Sequence, residues 1–561
     1  MFEKQDKALF LVIIFSTLFS IWLMFSTFKV SDGELLIDTK LWGDFQSHIP
    51  LIRSFSYGEN IPPEYPLYSN EQIRYHFLFY MIVGFLEKIG ISIDLALNTL
   101  SAFGMTGMLS GIYLLGKKIT HSRLASVLAV VFTILNSSFS WIYYFFIGGN
   151  RVTEFGEIYR ITDWGGFGPY KDTVLSAFWT LNIYTNQRHL AFAFMLVIFA
   201  VLFIYYSKSK VSLIAGILII ALLPWFHKAA FSILIGILVA LIFSISQSRK
   251  RLILTLVVGI ALSIPGIIYL NNPDGGEGAF RIAFGFLYNS TSWSEIPLEN
   301  NFLRWIVYWI INIGILPIGA FLGWVFMQKP NLKFKNFFDK LHFSFFNNQS
   351  IWFLIAAALF IVTNIVAFSV EVGANHKLIN FSIIIFNIFA GFAISKLLKN
   401  YFLIPVGFAF FFILILGGVL DIFPILNDRE YSIEDQKNNN LAQWVINETP
   451  KDSSFFNTTY DYSNVVYNGR KIFYGWDYFN WSLGYDVESR KEIIQATING
   501  RLEKSDVCEY LEGNSLDYIL VNESDPEFVE TTVDINYFRE NFIQEFGSGN
   551  FAVYSVSDSC D

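Results

Sequence analysis

Long uninterrupted apolar runs constrain this chain more than any other feature of its sequence. The clearest runs cover residues 8–28, 252–270, 305–327, 351–370 and 401–420. At a rise of about 1.5 Å per residue, each run is long enough to cross a hydrocarbon core of about 30 Å as a helix. Only 15% of the 561 residues are charged, whereas about a quarter are charged in a soluble domain. The runs therefore predict a polytopic α-helical membrane protein.

The positions of the lysines and arginines select the number of crossings. Counting every apolar run gives twelve crossings and places the basic segment 117–123 outside, against the rule that basic loops stay cytoplasmic. If the short run at residues 75–90 does not cross, about eleven helices remain. The inner loops and the N-terminal tail then carry 16 Lys and Arg against three acids. The N-terminus is then cytoplasmic, and the chain after residue 427 lies outside the cytoplasmic membrane.

Charge also marks a domain boundary. Residues 428–561 hold 25 Asp and Glu against 10 Lys and Arg. We therefore predict a transmembrane domain at residues 1–427, with a long first outer loop at 30–95, and a small extracytoplasmic α/β domain at 428–561. The acidic balance argues against a nucleic-acid partner, which requires a basic face. Both cysteines, Cys508 and Cys560, lie in the acidic domain, and the sequence leaves open whether they are paired.

Short helix and strand patterns alternate along the acidic domain. Apolar spacing predicts helices at residues 441–448 and 487–499 and strands at 454–456, 518–521 and 551–556. Its sequence shows no nucleophile elbow, phosphate loop or metal-ligand spacing. The predicted role of the domain is therefore to cover a membrane cavity or to help hold an acceptor.

Histidines and basic residues recur on the predicted outer side, where the charge rule disfavours them. Many basic residues at helix ends only reach the headgroups, but this set recurs on one side. Such groups suit a lipid-linked phosphate or pyrophosphate. The candidate phosphate-binding residues are Arg74, His76, Arg188, His189, His227, Lys228, His376 and Lys377.

The first outer loop is rich in polar residues and reads as a short amphipathic helix at residues 44–57. Asp44 and His48 stand four residues apart on one face of that helix. A carboxylate and an imidazole so placed can share a substrate hydroxyl, a metal or each other, or Asp44 can simply cap the helix. Pro62, Pro63 and Pro66 then direct the chain back toward the membrane in an extended path.

Several short motifs in this arrangement resemble the GT-C glycosyltransferases. The loop holds Gly43-Asp44-Phe45-x-x-His48, then Pro62-Pro63-x-x-Pro66, then Tyr75-His76-Phe77-Leu78. The order of first helix, long outer loop, Pro-rich return, about eleven helices and outer C-terminal domain is also similar to that superfamily. The architectural resemblance covers nearly the whole chain, whereas the individual motifs are short.

The resemblance implies transfer of a sugar from a polyprenyl-phosphate donor to a glycan, lipid or protein acceptor among the membrane lipids. It implies that a first-loop carboxylate acts on the acceptor nucleophile, with a divalent cation, Mg²⁺ or Mn²⁺, nearby, and this role carries over only to Asp44. Asp32, Glu34 and Asp38 are other candidates for the matching acid. Trp476 and Tyr478 are candidate sugar or acceptor contacts, and packing in a domain core is the other interpretation of these two aromatics.

Several alternatives remain open at this point, among them a non-catalytic receptor or assembly scaffold and a polymerase or ligase of cell-surface polysaccharides. An oligosaccharyltransferase-like enzyme is suggested by Trp476-Asp477-Tyr478, although this motif lacks the doubled Trp and the closing Gly of those enzymes. A transporter or flippase of lipid-linked saccharides would show broken helices and ionisable groups near the bilayer midplane. The span interiors are nearly free of charge, which favours chemistry at the membrane surface.

Overall fold

A computed structural model describes most of the chain. The described residues are 6–147, 155–162, 177–244, 249–271, 280–282, 284–285, 298–328 and 349–560. Most of the predicted inner loop 328–349, and much of the outer segments 148–187 and 271–304, lie outside the described residues. The chain forms two compact units. The helical unit comprises Met1–Thr27, Thr99–Ile267 and Ala279–Arg429, and the mixed unit comprises Phe28–Asn98, Ile268–Gly278 and Glu430–Asp561.

The helical unit is built from apolar helices of very different lengths. Its main described helices are Lys7–Phe25, Ile93–Thr120, Arg123–Ile134, Asn182–Asn186, Arg188–Val201, Lys210–Phe226, Lys228–Ile242, Arg249–Leu270, Asn301–Ile313, Leu316–Gln328, Ser350–Thr363, His376–Leu397, Ile404–Leu420 and Phe423–Leu426. Ile93–Thr120 begins and Arg249–Leu270 ends in residues assigned to the mixed unit. The strands Arg281–Ile282 and Val366–Ala367 pair with each other.

Six helical segments among the described residues are long and apolar enough to cross a membrane. A seventh candidate is a bent pair, and four shorter apolar helices accompany them. Each of the eleven predicted crossings falls on one of these elements, so the prediction of a polytopic helical membrane protein is confirmed. The number of actual crossings stays a prediction. The run at residues 75–90 contains the helix Leu78–Lys88, which at about 1.5 Å per residue is too short for a crossing.

Residues from the predicted cytoplasmic tail and first inner loop meet in the helical unit. The Asp6 carboxylate accepts from Lys117 Nζ at 2.8 Å and lies 3.4 Å from Arg123 Nε. It also caps the first helix by accepting from the backbone N–H of Leu9. Both segments therefore lie at the same end of this unit, as the positive charge distribution predicts.

A broken helix interrupts the bundle at Gly314. Asn301–Ile313 and Leu316–Gln328 meet at an angle of 82°, and Gly314 has φ +55°. A Cβ at Gly314 would collide with the carbonyl oxygen of Ser137, so glycine permits both the conformation and the close approach. The Ser137 hydroxyl donates to the carbonyl oxygen of Ile313 at 2.6 Å. This bond satisfies a carbonyl that the helix end leaves without a partner in its own helix.

The mixed unit combines an α/β core with the first outer loop. Its five-stranded sheet has the order Ile543–Ser548, Phe551–Ser555, Tyr518–Asn522, Ser454–Asn457 and Lys471–Ile472. In this order, the first three strands are antiparallel to one another, and the last three strands are parallel to one another. The helices of the unit are Trp42–Ser56, Leu78–Lys88, Asn440–Glu448, Asp477–Ser482, Val487–Ile498, Lys504–Gly513, Ile535–Asn541 and Ser557–Cys560. The α/β class predicted for the C-terminal part is therefore confirmed.

A second sheet joins the first outer loop to the C-terminal part of the chain. Its strands are Phe28–Ser31, Glu34–Asp38 and Glu430–Glu434, in that order. Glu34–Asp38 pairs antiparallel with Glu430–Glu434 over five residues. Two-stranded ribbons at Glu64–Tyr65 with Tyr68–Gln72, and at Glu527–Phe528 with Thr531–Thr532, complete the unit. The loop that sequence analysis assigned to the membrane domain thus shares a compact unit with the acidic segment.

Candidate functional site

The first-loop helix, Trp42–Ser56, carries the predicted acid and imidazole. Its apolar face is fully buried, with Phe45, Ile49 and Ile52 inaccessible to solvent. Leu41 occupies the N-cap position without a side-chain hydrogen bond. Asp44 is therefore not the cap but the third residue of the helix, where the helix dipole favours a negative charge. Its side chain is only partly buried.

Aromatic side chains surround Asp44 and His48. The buried His48 ring stacks on Tyr80 with 4.7 Å between centroids, and Tyr75 stacks on His76 at 4.0 Å. Burial, together with the nearby charge of Asp44, raises the pKa of the Tyr75 and Tyr80 phenols. Both phenols therefore stay protonated at neutral pH and can donate hydrogen bonds. The structure thus brings Asp44, His48 and His76 into one polar, aromatic-walled region of the mixed unit.

Arg74 is directed to the C-terminal part of the mixed unit. Its guanidinium lies over the Tyr485 ring, 4.5 Å from the centroid, and donates to the carbonyl oxygen of Gly484. Its backbone N–H donates to the Tyr485 hydroxyl at 3.1 Å. The side chain is buried. These contacts fix Arg74 and leave less of its donor capacity for a phosphate than the sequence suggested.

His189, His227 and Lys377 form a group in the helical unit. The rings of His189 and His227 have centroids 5.1 Å apart and both are buried. His227 lies between two helices, and its Nδ1 accepts from the backbone N–H of Ala230 at 3.2 Å. Burial, reinforced by the charge of Lys377, holds the pKa of His227 well below its ordinary value. The ring is therefore neutral with its proton on Nε2, so it presents an N–H donor.

Two lysines of the predicted phosphate-binding set, Lys228 and Lys377, lie in the helical unit and remain partly exposed to solvent. Lys228 follows His227 at the start of a helix, and Lys377 is the second residue of the helix His376–Leu397. Both side chains are partly buried. An ammonium group at such a position can approach an anion without full desolvation.

Arg188 ties two helices of the helical unit together. The guanidinium donates to the carbonyl oxygen of Thr185 and to the hydroxyl of Thr27, each at 2.7 Å. It also lies 3.3 Å from the carbonyl oxygen of Met24. The residue is completely buried. Its observed contacts are those of a structural clamp on the end of the first helix.

His376 is held on both ring nitrogens. Its Nδ1 lies 3.1 Å from the Asn380 carboxamide nitrogen, and its Nε2 lies 3.3 Å from the Gln187 carboxamide nitrogen. Phe178 stacks on the ring at 4.4 Å with an interplanar angle of 8°. These contacts make His376 a residue that orients its neighbours.

Trp476 and Tyr478 belong to an exposed aromatic group in the mixed unit. Trp476 is 40% exposed and Trp481 is 45% exposed, while Tyr478 lies 5.3 Å from Trp476 and 6.3 Å from Trp481 between centroids. Asp477 beside them accepts from the hydroxyls of Tyr460 and Tyr474 and pairs with Lys491. Exposed aromatic faces near fixed polar groups suit stacking against a sugar.

Tyr80 and the asparagines of the helix His376–Leu397 were not among the site residues predicted from the sequence. Tyr80 lies four residues after His76, so both fall near one face of the return segment. Asn380 and Asn387 are seven residues apart within an otherwise apolar run, and both are buried. The sequence signal that could have identified these asparagines is their two-turn spacing inside an apolar span, where polar side chains are rare.

Comparisons with known proteins return a structural likeness. No protein-family model matches the chain, and no curated protein matches it by sequence. Among solved structures, the chain is similar to ArnT from Cupriavidus metallidurans in the apo state. The two share 10% sequence identity with a TM-score of 0.47, and the match covers 97% of each chain.

Proposed function

We propose that the chain is a glycosyltransferase that moves a sugar from a polyprenyl-phosphate donor to an acceptor at the outer face of the cytoplasmic membrane. The observation that carries the proposal is the environment of Asp44. This carboxylate is partly exposed on a helix whose opposite face is buried, one turn from His48 and beside Tyr75 and Tyr80. The loop motifs that resemble the GT-C glycosyltransferases support the same proposal.

Asp44 would act as the general base. A sugar or lipid hydroxyl is a poor nucleophile at neutral pH and reacts faster when a carboxylate takes its proton in the transition state. The helix fixes the direction of Asp44, and His48 one turn away would orient the same hydroxyl. The protonated phenols of Tyr75 and Tyr80 would complete the polar wall as hydrogen-bond donors.

The leaving polyprenyl phosphate gains negative charge as its bond to the sugar breaks, so donors placed at that oxygen lower the barrier. In the helical unit, His189 and His227 would offer ring N–H groups, and Lys228 and Lys377 would offer positive charge. Arg188 and His376 would support this set by fixing the surrounding helices.

A divalent cation would bind to Asp44 only when the phosphate of the donor supplies further oxygen ligands. Mg²⁺ and Mn²⁺ prefer oxygen ligands, and Mg²⁺ is commonly held by one or two carboxylates plus substrate phosphates. Asp44 supplies one such carboxylate, and the donor phosphate would supply the remaining oxygens. A bound cation would neutralise charge on the leaving phosphate.

Acceptor-dependent consumption of the donor tests the proposal. The purified chain in nanodiscs is supplied with a pool of polyprenyl-phosphate sugars, with and without a cell-envelope acceptor fraction. We expect free polyprenyl phosphate to appear only when the acceptor is present, with the sugar recovered on the acceptor. Intact donor under every condition contradicts the proposal.

The broken helix favours one second candidate, a flippase of lipid-linked saccharides. Transporter sites are often formed by discontinuous helices, and the 82° bend after Ile313 is such a feature. Proteoliposomes that carry a fluorescent lipid-linked saccharide separate the two functions. A flippase moves the intact lipid between leaflets, whereas a transferase releases polyprenyl phosphate.

A further inference from the structure

Exposed apolar side chains collect in the helical unit where the strand pair Arg281–Ile282 and Val366–Ala367 lies near the start of the helix Asn301–Ile313. Ile282 is 79% exposed and Phe280 is 69% exposed. Large exposed apolar patches on a folded chain mark interaction surfaces. The ribbon patch comprises six exposed residues, Phe280, Ile282, Phe284, Phe302, Leu303 and Phe368.

Backbone hydrogen bonds hold the ribbon patch in place. The two short strands pair antiparallel with each other. Just beyond one strand, the backbone N–H of Gly285 donates to the carbonyl oxygen of Asn364 at 2.8 Å. Just beyond the other, the backbone N–H of Phe368 donates to the Asn375 side-chain oxygen at 3.1 Å. The exposed side chains are therefore carried by a backbone with fixed partners on both strands.

Ring contacts join the ribbon to the neighbouring helix. The rings of Phe280 and Phe368 have centroids 5.9 Å apart, so the two strands also meet through their side chains. Phe284 lies 5.8 Å from Trp305 and 6.4 Å from Phe302, both on the helix Asn301–Ile313. These contacts make one continuous surface, yet they leave the outer faces of the phenylalanine rings exposed. Covering such apolar area is favourable by about 25 cal/mol per Å².

The ribbon patch continues the lipid-facing surface of the helices beside it. Ile361 and Val362 are exposed near the end of the helix Ser350–Thr363, and Ile310 is exposed on the helix Asn301–Ile313. Exposed apolar side chains on the helices of a polytopic membrane protein contact acyl chains. The bilayer that covers these helix faces is therefore the partner closest to the ribbon patch.

The backbone of the ribbon limits how deeply the patch can enter the bilayer. A two-stranded ribbon pairs only one edge of each strand, and the other edge needs water or another hydrogen-bonding partner, which the hydrocarbon core does not offer. Aromatic side chains are enriched at the level of the lipid headgroups, where water is present. The ribbon therefore fits the headgroup region and not the hydrocarbon core.

The sequence of the first strand has the matching polarity. Phe280 and Ile282 are two residues apart, so in an extended segment they lie on one face and Arg281 lies on the other. Arg281 is exposed. A guanidinium group binds lipid phosphates through charge-assisted hydrogen bonds. The apolar face can therefore meet acyl chains while the arginine meets headgroup phosphates.

We infer that the ribbon patch inserts into the headgroup region of the membrane and is an interaction surface for phospholipids. The inference is independent of sugar transfer. It gives residues 280–285 of the predicted outer segment 271–304 a defined place at the membrane surface. It also fixes the depth at which the helix Asn301–Ile313, the first half of the broken helix, begins.

Depth-dependent fluorescence quenching tests this inference. The variant Ile282→Cys is labelled with a fluorescent dye in the full-length chain, in nanodiscs of phosphatidylcholine and phosphatidylglycerol. The natural cysteines, Cys508 and Cys560, are disulfide-bonded and do not take up the label without reduction. One lipid carries a quencher just below the headgroup, and another carries it near the end of the acyl chain. The shallow quencher should reduce the emission at least about two-fold more than the deep one, because interfacial segments insert only about 5–10 Å.

Two matched controls calibrate the depth. Phe412→Cys places the dye at an exposed position in the middle of the helix Ile404–Leu420, where the deep quencher should act more strongly than the shallow one. Ile543→Cys places it at an exposed position on a strand of the mixed unit, where neither quencher should act. Phe284→Cys replaces Ile282→Cys if that variant does not fold, with the same expected result.

Two results overturn the inference. A dye at residue 282 that neither lipid quenches shows that the patch faces water or is covered by protein, for example by a second copy of the chain. A dye that the deep quencher affects most, as at residue 412, shows that the ribbon lies in the hydrocarbon core.

Discussion

The guanidinium of Arg53 forms a two-pronged ion pair with Asp435, with Nη1–Oδ1 at 2.5 Å and Nη2–Oδ2 at 2.9 Å. The same guanidinium donates through Nε to the Glu87 carboxylate at 3.2 Å. Arg53 belongs to the first-loop helix, and Asp435 follows the strand Glu430–Glu434. The helix that carries Asp44 is thus fixed by a buried charge cluster to the C-terminal part of the mixed unit.

Loss of Arg53 should destabilise the mixed unit. Arg53→Met leaves the Glu87 and Asp435 carboxylates without their counter-charge, which costs about 3–5 kcal/mol for a buried pair. Thermal unfolding of the detergent-solubilised chain measures this effect. The control is Arg539→Ala, which removes an exposed pair with Glu523 and should shift the unfolding temperature little, because exposed ion pairs contribute little stability. Equal shifts for the two variants would contradict a structural role for the buried cluster.

Acid should weaken the same cluster. Burial alone would raise the pKa of Asp435, but hydrogen bonds and charge from Arg53 hold its pKa below the ordinary value. A carboxyl with a depressed folded-state pKa stabilises the fold above its unfolded pKa, and this stability is lost as pH falls through the folded pKa. We expect the thermal unfolding temperature to decrease as the pH falls below about 4. The unfolding temperature of the Asp435→Asn variant should decrease less steeply with acid. Identical pH profiles for the variant and the natural chain would show that Asp435 does not contribute to the acid sensitivity.

Cys508 and Cys560 are paired in the structure, 52 positions apart in sequence. Closing a loop of that size stabilises a fold by about 4 kcal/mol in the chain-entropy description. The double variant Cys508→Ser with Cys560→Ser should therefore unfold at a clearly lower temperature. Alkylation of the membrane-inserted chain before and after reduction reports the pairing itself. Two thiols that react without reduction would contradict the bond.

Trp476 should affect acceptor binding more than chemistry. Trp476→Ala removes an exposed stacking face, so we expect the KM for the acceptor to rise about ten-fold with little change in kcat. The matched control is Tyr431→Ala, an exposed aromatic on the strand Glu430–Glu434. A fall in kcat at constant KM for Trp476→Ala would assign the residue a different role.

The sequence was sufficient for the features that depend on local pattern. The predicted helix at residues 44–57 is Trp42–Ser56, and the strands predicted at 454–456 and 518–521 are Ser454–Asn457 and Tyr518–Asn522. Apolar periodicity and run length determine such elements, because each residue depends mainly on its near neighbours. The donor-phosphate set and the role of Asp44 stay predictions.

Contacts between distant segments were not predictable from this one sequence. Glu34–Asp38 pairs with Glu430–Glu434 across almost 400 residues, and no local pattern selects that partner. The Arg53 cluster was unpredictable for the same reason, because nothing in the local sequence marks Glu87 or Asp435 as a partner of Arg53. Asn312, Asn380 and Asn387 line one small cavity beside the helix break, and no local pattern brings these three asparagines together.

The rate of sugar transfer by Asp44→Asn tests the central claim most directly. Asparagine keeps the size and most of the polarity of the side chain but removes the base. With Glu59→Gln, an exposed acid beyond the same helix, as the charge-matched control, the account predicts a loss of about 10²–10⁴-fold in kcat for Asp44→Asn alone. Transfer by Asp44→Asn at the rate of the natural chain would show that Asp44 is not the base.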